Sequence, residues 1–162
     1  MKNVILVLWL SLLLACNAEK TGTGDNDSSV SEAENVKDAV IASYIELKDA
    51  LVESDAKAAR ESADDLLAAA QDANLSNESV AIIRKIQSSE DLSEIRNSFD
   101  PLSQQIYSWI KNSGANDQKL YWQYCPMAKD NEGASWLSLE SEILNPYFGE
   151  QMLRCGNVKE EL

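Results

Sequence analysis

Apolar residues recur every three or four positions through the chain from about residue 31 to residue 112. This spacing places one apolar stripe on each helix, and the stripe must be buried against neighbouring helices. Polar cap residues divide the pattern into four segments, which begin near Ser31, at Asp55, at Asn77 and after Ser89. We therefore expect a mainly α fold in which the four helices form an up-and-down bundle with short connections.

The fourth periodic segment contains Pro101, which removes one hydrogen bond from a helix and bends it. Because the apolar spacing continues on both sides of the proline, it predicts one bent helix rather than two.

After Gly114 the chain becomes aromatic and rich in turns, and it predicts a small C-terminal β-hairpin with a loop segment. Residues 119–124 alternate as a strand does, residues 130–133 form a turn cluster, and residues 134–137 are the expected return strand. Pro146 disfavours helix at Asn145, so a loop is expected there. Residues 150–153 have the length of a single helical turn.

The N-terminus has the pattern of a targeting segment. Lys2 precedes an apolar run from Val4 to Leu14, and Ala15 is followed by Cys16. This pattern resembles the lipobox of bacterial lipoproteins, with an ordinary secretory signal as the alternative. We expect residues 1–15 to be a signal peptide, Cys16 to carry the lipid, residues 16–31 to be a flexible acidic tether, and residues 32–162 to form one domain. The protein would then be anchored in the bacterial cell envelope, in the outer or inner membrane, facing the periplasm.

Charge and composition restrict the function classes. The chain has 27 acidic and 14 basic residues, for a net charge of −13, which disfavours binding to nucleic acid. It contains no histidine, the commonest general base and the commonest metal ligand. No nucleophile elbow, Gly-rich phosphate loop or Cys-x-x-Cys motif is present, so we expect a protein that is not an enzyme.

Two pairs of sulfur residues flank the aromatic segment: Cys125 with Met127, and Met152 with Cys155. Thiolate and thioether sulfurs are the ligands that Cu(I) selects, and the spacings permit all four to converge. A disulfide between Cys125 and Cys155 is the alternative, because an oxidising compartment favours it. In that case the two methionines fill gaps in the packing. Both interpretations remain open on sequence alone.

The chain resembles the DUF3347 family of uncharacterised bacterial periplasmic proteins. The resemblance rests on residues 44–51, on residues 96–103, and on a C-terminal string that includes residues 124–128, 145–149 and 155–158. It implies a copper or related soft-metal context, because some family members are joined to periplasmic adaptors of heavy-metal efflux pumps. One departure is Tyr124, where many members carry histidine.

These observations predict a membrane-anchored envelope lipoprotein that binds a soft metal ion such as Cu(I) through Cys125, Met127, Met152 and Cys155. Its expected partners are the membrane, through the lipid, and components of heavy-metal efflux. The alternative function is a structural or partner-binding module closed by the Cys125–Cys155 disulfide, with no role in metal handling.

Overall fold

The computed structural model describes residues 27–114 and 118–162, with side chains from Asn35 onward. It contains four long helices, which confirms the mainly α class. They are α1 (Asp27–Val52), α2 (Ala56–Asp72), α3 (Asn77–Ser88) and α4 (Leu92–Asn112). The predicted signal peptide and Cys16 lie outside the described residues. Helix α1 begins at Asp27, so residues 27–31 of the predicted tether are helical.

Helices α2, α3 and α4 are each N-capped by the polar residue that precedes them. The Asp55 carboxylate accepts hydrogen bonds from the backbone N–H groups of Lys57 and Ala58, both at 2.9 Å. The Ser76 hydroxyl accepts from Ser79 N–H at 3.1 Å, and the Asp91 carboxylate accepts from Ser93 N–H at 2.8 Å. These bonds satisfy backbone donors that have no partner within a helix, which is why the helices begin at these positions.

Helix α4 runs through Pro101 without interruption, as the periodicity predicts. The apolar residues on both sides of the proline, including Phe99 and Leu102, are fully buried. One continuous apolar face therefore packs into the core despite the hydrogen bond lost at the proline.

Helices that follow one another in the chain also contact one another: α1 with α2, α2 with α3, and α3 with α4. Short connections favour such neighbours. The up-and-down bundle arrangement stays a prediction. Within residues 27–114 and 118–162, no helix combines the length and hydropathy needed to cross a membrane.

The C-terminal region forms a three-stranded antiparallel sheet, where the sequence predicts a two-stranded hairpin. The strands are β1 (Tyr121–Cys125), β2 (Ala134–Ser138) and β3 (Asn157–Glu161), in the order β2-β1-β3. Strands β1 and β2 are the predicted hairpin, with Cys125 opposite Ala134. The prediction missed β3, because this edge strand is polar and mostly exposed and lacks the alternation that marks a strand.

Side-chain hydrogen bonds from the helices hold the C-terminal region in place. The Tyr44 hydroxyl of α1 accepts a hydrogen bond from Leu137 N–H in β2 at 3.1 Å. The Arg96 guanidinium of α4 donates to the Pro146 carbonyl at 2.8 Å and to the Leu51 carbonyl at 2.9 Å. Arg96 thereby joins α4, the last turn of α1 and the loop that precedes the second sulfur pair.

Candidate functional site

The two cysteine thiols of the described region meet at the end of β1. The sulfur atoms of Cys125 and Cys155 are 3.0 Å apart, although 30 residues separate them in the chain. A disulfide bond is about 2.05 Å long, and both cysteines are free thiols in this structure. Cys125 is fully buried and Cys155 is partly exposed, so a reagent or ion from solvent reaches the pair through Cys155.

Cys125 is held by the sheet. It is the last residue of β1 and pairs with Ala134 of β2. Side chains alternate between the two faces of a strand, so Cys125 shares its face with Gln123 and the paired Trp136. All three residues are fully buried, which fixes the buried thiol on a rigid element.

Cys155 is held by Asn145, a fully buried residue that the sequence assigned only to a loop. The Asn145 side-chain amide donates to the Cys155 carbonyl at 2.8 Å, and its backbone N–H donates to the Leu153 carbonyl at 2.9 Å. Its side-chain oxygen accepts from Tyr147 N–H at 2.8 Å. Asn145 is therefore the residue that positions Cys155, and the C-terminal string of the family resemblance was its only signal in the sequence.

Met127 lies in the turn that follows Cys125. The residue is 46% exposed, in contrast to the buried Cys125. The Met127 backbone amide lies close enough to the Cys155 sulfur to lower the pKa of that thiol. The Met127 main chain therefore lies beside the thiols, while its side chain is exposed.

Met152 ends a single 3-10 turn, Gly149–Met152, close to the helical turn that the sequence predicts. Its carbonyl accepts a hydrogen bond from Cys155 N–H at 3.0 Å, and its side chain is partly buried. The structure therefore brings the two cysteines into sulfur contact, joins the main chain of Met152 to Cys155 by a hydrogen bond, and places the main chain of Met127 nearby.

The two tryptophans of the sheet, Trp122 of β1 and Trp136 of β2, have different surroundings. Trp136 is fully buried, and its ring lies against Gly156, the neighbour of Cys155, with 3.1 Å between the ring and the position of a Cβ at this glycine. Trp122 occupies the opposite face of β1 and stacks on Tyr107 of α4, with ring centroids 4.4 Å apart. Only Trp136 is placed to exclude water from the thiols.

The electrostatics of the site favour the protonated thiol at Cys155. The pKa of Cys155 is raised, chiefly because it shares a hydrogen bond with Cys125 and in part because of burial, while the Met127 N–H lowers it. A raised pKa reduces the thiolate fraction at neutral pH, and the thiolate is the nucleophile and the metal ligand. Since the chain has no histidine to act as a base, the pair lacks the usual means of activating a nucleophilic cysteine.

The donor atoms at the site are sulfurs. Among the described residues, no group of three or more histidine, cysteine, aspartate or glutamate side chains is placed to hold a metal ion. A metal site at this position must therefore consist of the two cysteine sulfurs with thioether, backbone or external ligands.

Comparison with known proteins identifies one family. The model of DUF3347, described as a protein of unknown function, matches residues 40–118. This confirms the family resemblance over that range, which includes the motifs at residues 44–51 and 96–103. The matched range ends before Cys125, so it does not extend to the sulfur residues. No curated protein and no solved structure matches the chain.

Proposed function

We propose that this protein, whose residues 40–118 belong to the DUF3347 family, is a membrane-anchored lipoprotein of the bacterial envelope that binds a soft metal ion such as Cu(I). One observation carries the proposal: the sulfurs of Cys125, in β1, and Cys155, in the segment before β3, lie 3.0 Å apart with one of them accessible. The efflux context implied by the family resemblance is the reason to test Cu(I) first.

The donor chemistry fits such an ion. Thiolate and thioether sulfurs select Cu(I), whereas Zn²⁺ and Cu(II) sites commonly use imidazole, which this chain lacks. Cys125 and Cys155 would be the principal ligands. Met127 and Met152, whose main chains lie beside Cys155, are the candidates for additional sulfur ligands.

The proximity of the two thiols also supports a second candidate function, a structural or partner-binding module closed by a Cys125–Cys155 disulfide. In zinc sites a metal–thiolate bond is about 2.3 Å long, and two such bonds at a tetrahedral angle place the sulfurs about 3.8 Å apart. The observed 3.0 Å lies between this value and a disulfide bond. The thiols must therefore separate slightly to bind a metal ion or approach slightly to form a bond, and the two outcomes exclude each other.

Competition for Cu(I) tests the metal proposal. The reduced protein is titrated without oxygen against a chromophoric Cu(I) chelator, and we expect it to withdraw one copper ion per chain. Cys125→Ser and Cys155→Ser should each abolish this, because two-thiolate binding is lost. Met127→Leu and Met152→Leu should weaken it by about tenfold for each thioether that is a ligand, or about 1.4 kcal/mol.

Val158→Ala is the matched control, since Val158 is an exposed apolar residue of the same C-terminal segment. It should leave Cu(I) binding unchanged. If the reduced wild-type protein removes no copper from the chelator, the metal proposal is wrong.

A further inference from the structure

A shallow cavity of about 160 Å³ lies between the start of α4, the turn after Cys125 and the loop at Tyr147. Five residues line it: Ser93, Arg96, Asn97, Lys129 and Tyr147. Two of the five are cationic and none is acidic, in a chain whose net charge is −13. None of them belongs to the sulfur site.

The charge of Arg96 is not balanced by a carboxylate. Its guanidinium donates to the Pro146 and Leu51 carbonyls and to the Ser54 hydroxyl, all of which are neutral. Within residues 35–114 and 118–162, no carboxylate forms an ion pair with it. Partial burial lowers the pKa of this guanidinium, as expected for a cation removed from water without a counter-ion.

Arg96 also keeps free hydrogen-bonding capacity. The three bonds use its Nε and Nη2 atoms, and in the part of the chain that the structure describes the Nη1 group has no acceptor. A guanidinium binds carboxylate and phosphate oxygens with a fixed, planar set of N–H donors. The unused donors on a residue that lines the cavity suit an oxyanion.

Lys129 contributes the second cation from a strained backbone. Its φ and ψ angles are 52° and 56°, and Asp130 and Asn131 also have positive φ. A left-handed conformation is unfavourable for a residue with a side chain, and such strain is concentrated at ligand-binding segments. The ammonium is fixed by the Asp100 carboxylate at 2.7 Å, which leaves its other protons available.

We propose that this cavity binds a small oxyanion, a carboxylate or a phosphate group, between Arg96 and Lys129. Arg96 and Lys129 carry two positive charges, and Asp100 offsets one of them. The exposed side-chain amide of Asn97 adds a neutral donor at the rim. The Tyr147 hydroxyl donates instead to the Ser135 carbonyl, so its ring forms a wall of the cavity. The inference goes beyond the proposed metal function and does not depend on it.

The test is a titration of the ¹⁵N-labelled full chain with inorganic phosphate and, separately, with succinate, at constant ionic strength set by sodium chloride. We expect saturable shifts of the Ser93 and Asn97 amide signals with at least one of the two anions. Phosphate alone would identify a phosphate site, and succinate alone a carboxylate site. If neither anion produces a saturable shift, the proposal is wrong.

Variants separate a site from general charge effects. Lys129→Gln should weaken binding by about tenfold, because a charge-assisted hydrogen bond is lost. Asn97→Ala, at an exposed position, should weaken it several-fold without disturbing the turn. Lys85→Gln, which removes an exposed cation on α3, is the control and should have no effect. Equal weakening by Lys85→Gln and Lys129→Gln would contradict the proposal.

Discussion

Tyr44 is the residue that couples the first helix to the sheet. Its ring stacks on Phe99 with centroids 5.2 Å apart, and its hydroxyl forms a 2.7 Å hydrogen bond with Ser103. The Ser103 hydroxyl donates to the Phe99 carbonyl, so Tyr44 donates to Ser103 and accepts from Leu137 N–H. A single buried hydroxyl thereby connects α1, α4 and β2.

We predict that Tyr44→Phe lowers the free energy of unfolding by about 1–3 kcal/mol, because it leaves the buried Leu137 N–H without an acceptor. Chemical denaturation measures the loss. Tyr124→Phe is the control: its partly exposed hydroxyl makes no comparable bond within the described residues, and the change should stay within about 0.5 kcal/mol. Equal losses in the two variants would show that the Tyr44 hydrogen bonds contribute little.

The same variant should change the response to alkaline pH. Burial raises the pKa of Tyr44 and of Tyr147 well above the value of about 10 for an exposed tyrosine. A raised pKa in the folded state contributes stability below pH 10 and loses it as the pH rises, since only the unfolded chain releases the proton. Between about pH 10 and 12, the free energy of unfolding of the wild-type protein falls as the pH rises. In Tyr44→Phe this fall should be less steep, by about 1.4 kcal/mol per pH unit.

At the scale of helices and loops, a glycine allows the Gly149 turn to approach the end of α1 closely. Gly149 has a φ of +56°, and a Cβ at this position would lie 2.9 Å from the Val52 carbonyl and even closer to the Ser54 hydroxyl. A side chain would collide with the last turn of α1.

We predict that Gly149→Ala destabilises the protein by about 2–5 kcal/mol, from backbone strain of about 1–2 kcal/mol and a collision that costs about 1–3 kcal/mol. Gly114→Ala is a matched control, because Gly114 has a φ of +89° with no atom within 4 Å of a Cβ. It should lose only the strain. Thermal unfolding of both variants provides the comparison. Similar losses of stability would contradict the prediction, because they would show that α1 can move away from the added side chain at little cost.

The helices could be predicted from sequence because their signals are local. Each carries its apolar spacing, and α2 and α4 also have their own cap residues, Asp55 and Asp91, within a few positions. Strand β3 could not be predicted, because its residues are mostly polar and exposed and because it pairs with β1, which is distant in the chain. The sequence predicted a turn between β1 and β2, but not the left-handed backbone of Lys129. Glycine usually adopts this conformation, so a lysine at the position gives no signal for it.

The candidate site was predictable in part for the same reason. The approach of Cys125 and Cys155 followed from residue types and from the turn at Met152. The role of Asn145 did not, because its bonds to Leu153 and Cys155 exist only once the loop has folded back. The cavity between Arg96 and Lys129 also joins residues from separate elements and has no pattern along the chain.

For the molecule as a whole, the helices act as a scaffold on which the C-terminal segment holds two thiols. Tyr44 and Arg96 attach that segment to α1 and α4, so the sulfur site depends on the fold of the entire domain. If the thiols form a disulfide instead, closure of a loop of about 30 residues stabilises the domain by about 3.5 kcal/mol. A reduced pair can bind a metal ion and an oxidised pair cannot.

Native mass spectrometry of the protein with Cu(I), before and after thiol alkylation, distinguishes these states in one measurement. The proposed function predicts that the reduced protein gains one copper ion per chain and that alkylation of Cys125 and Cys155 prevents the gain. It would be contradicted by a reduced protein that stays free of copper in excess Cu(I), or by equal uptake in the Cys125→Ser variant.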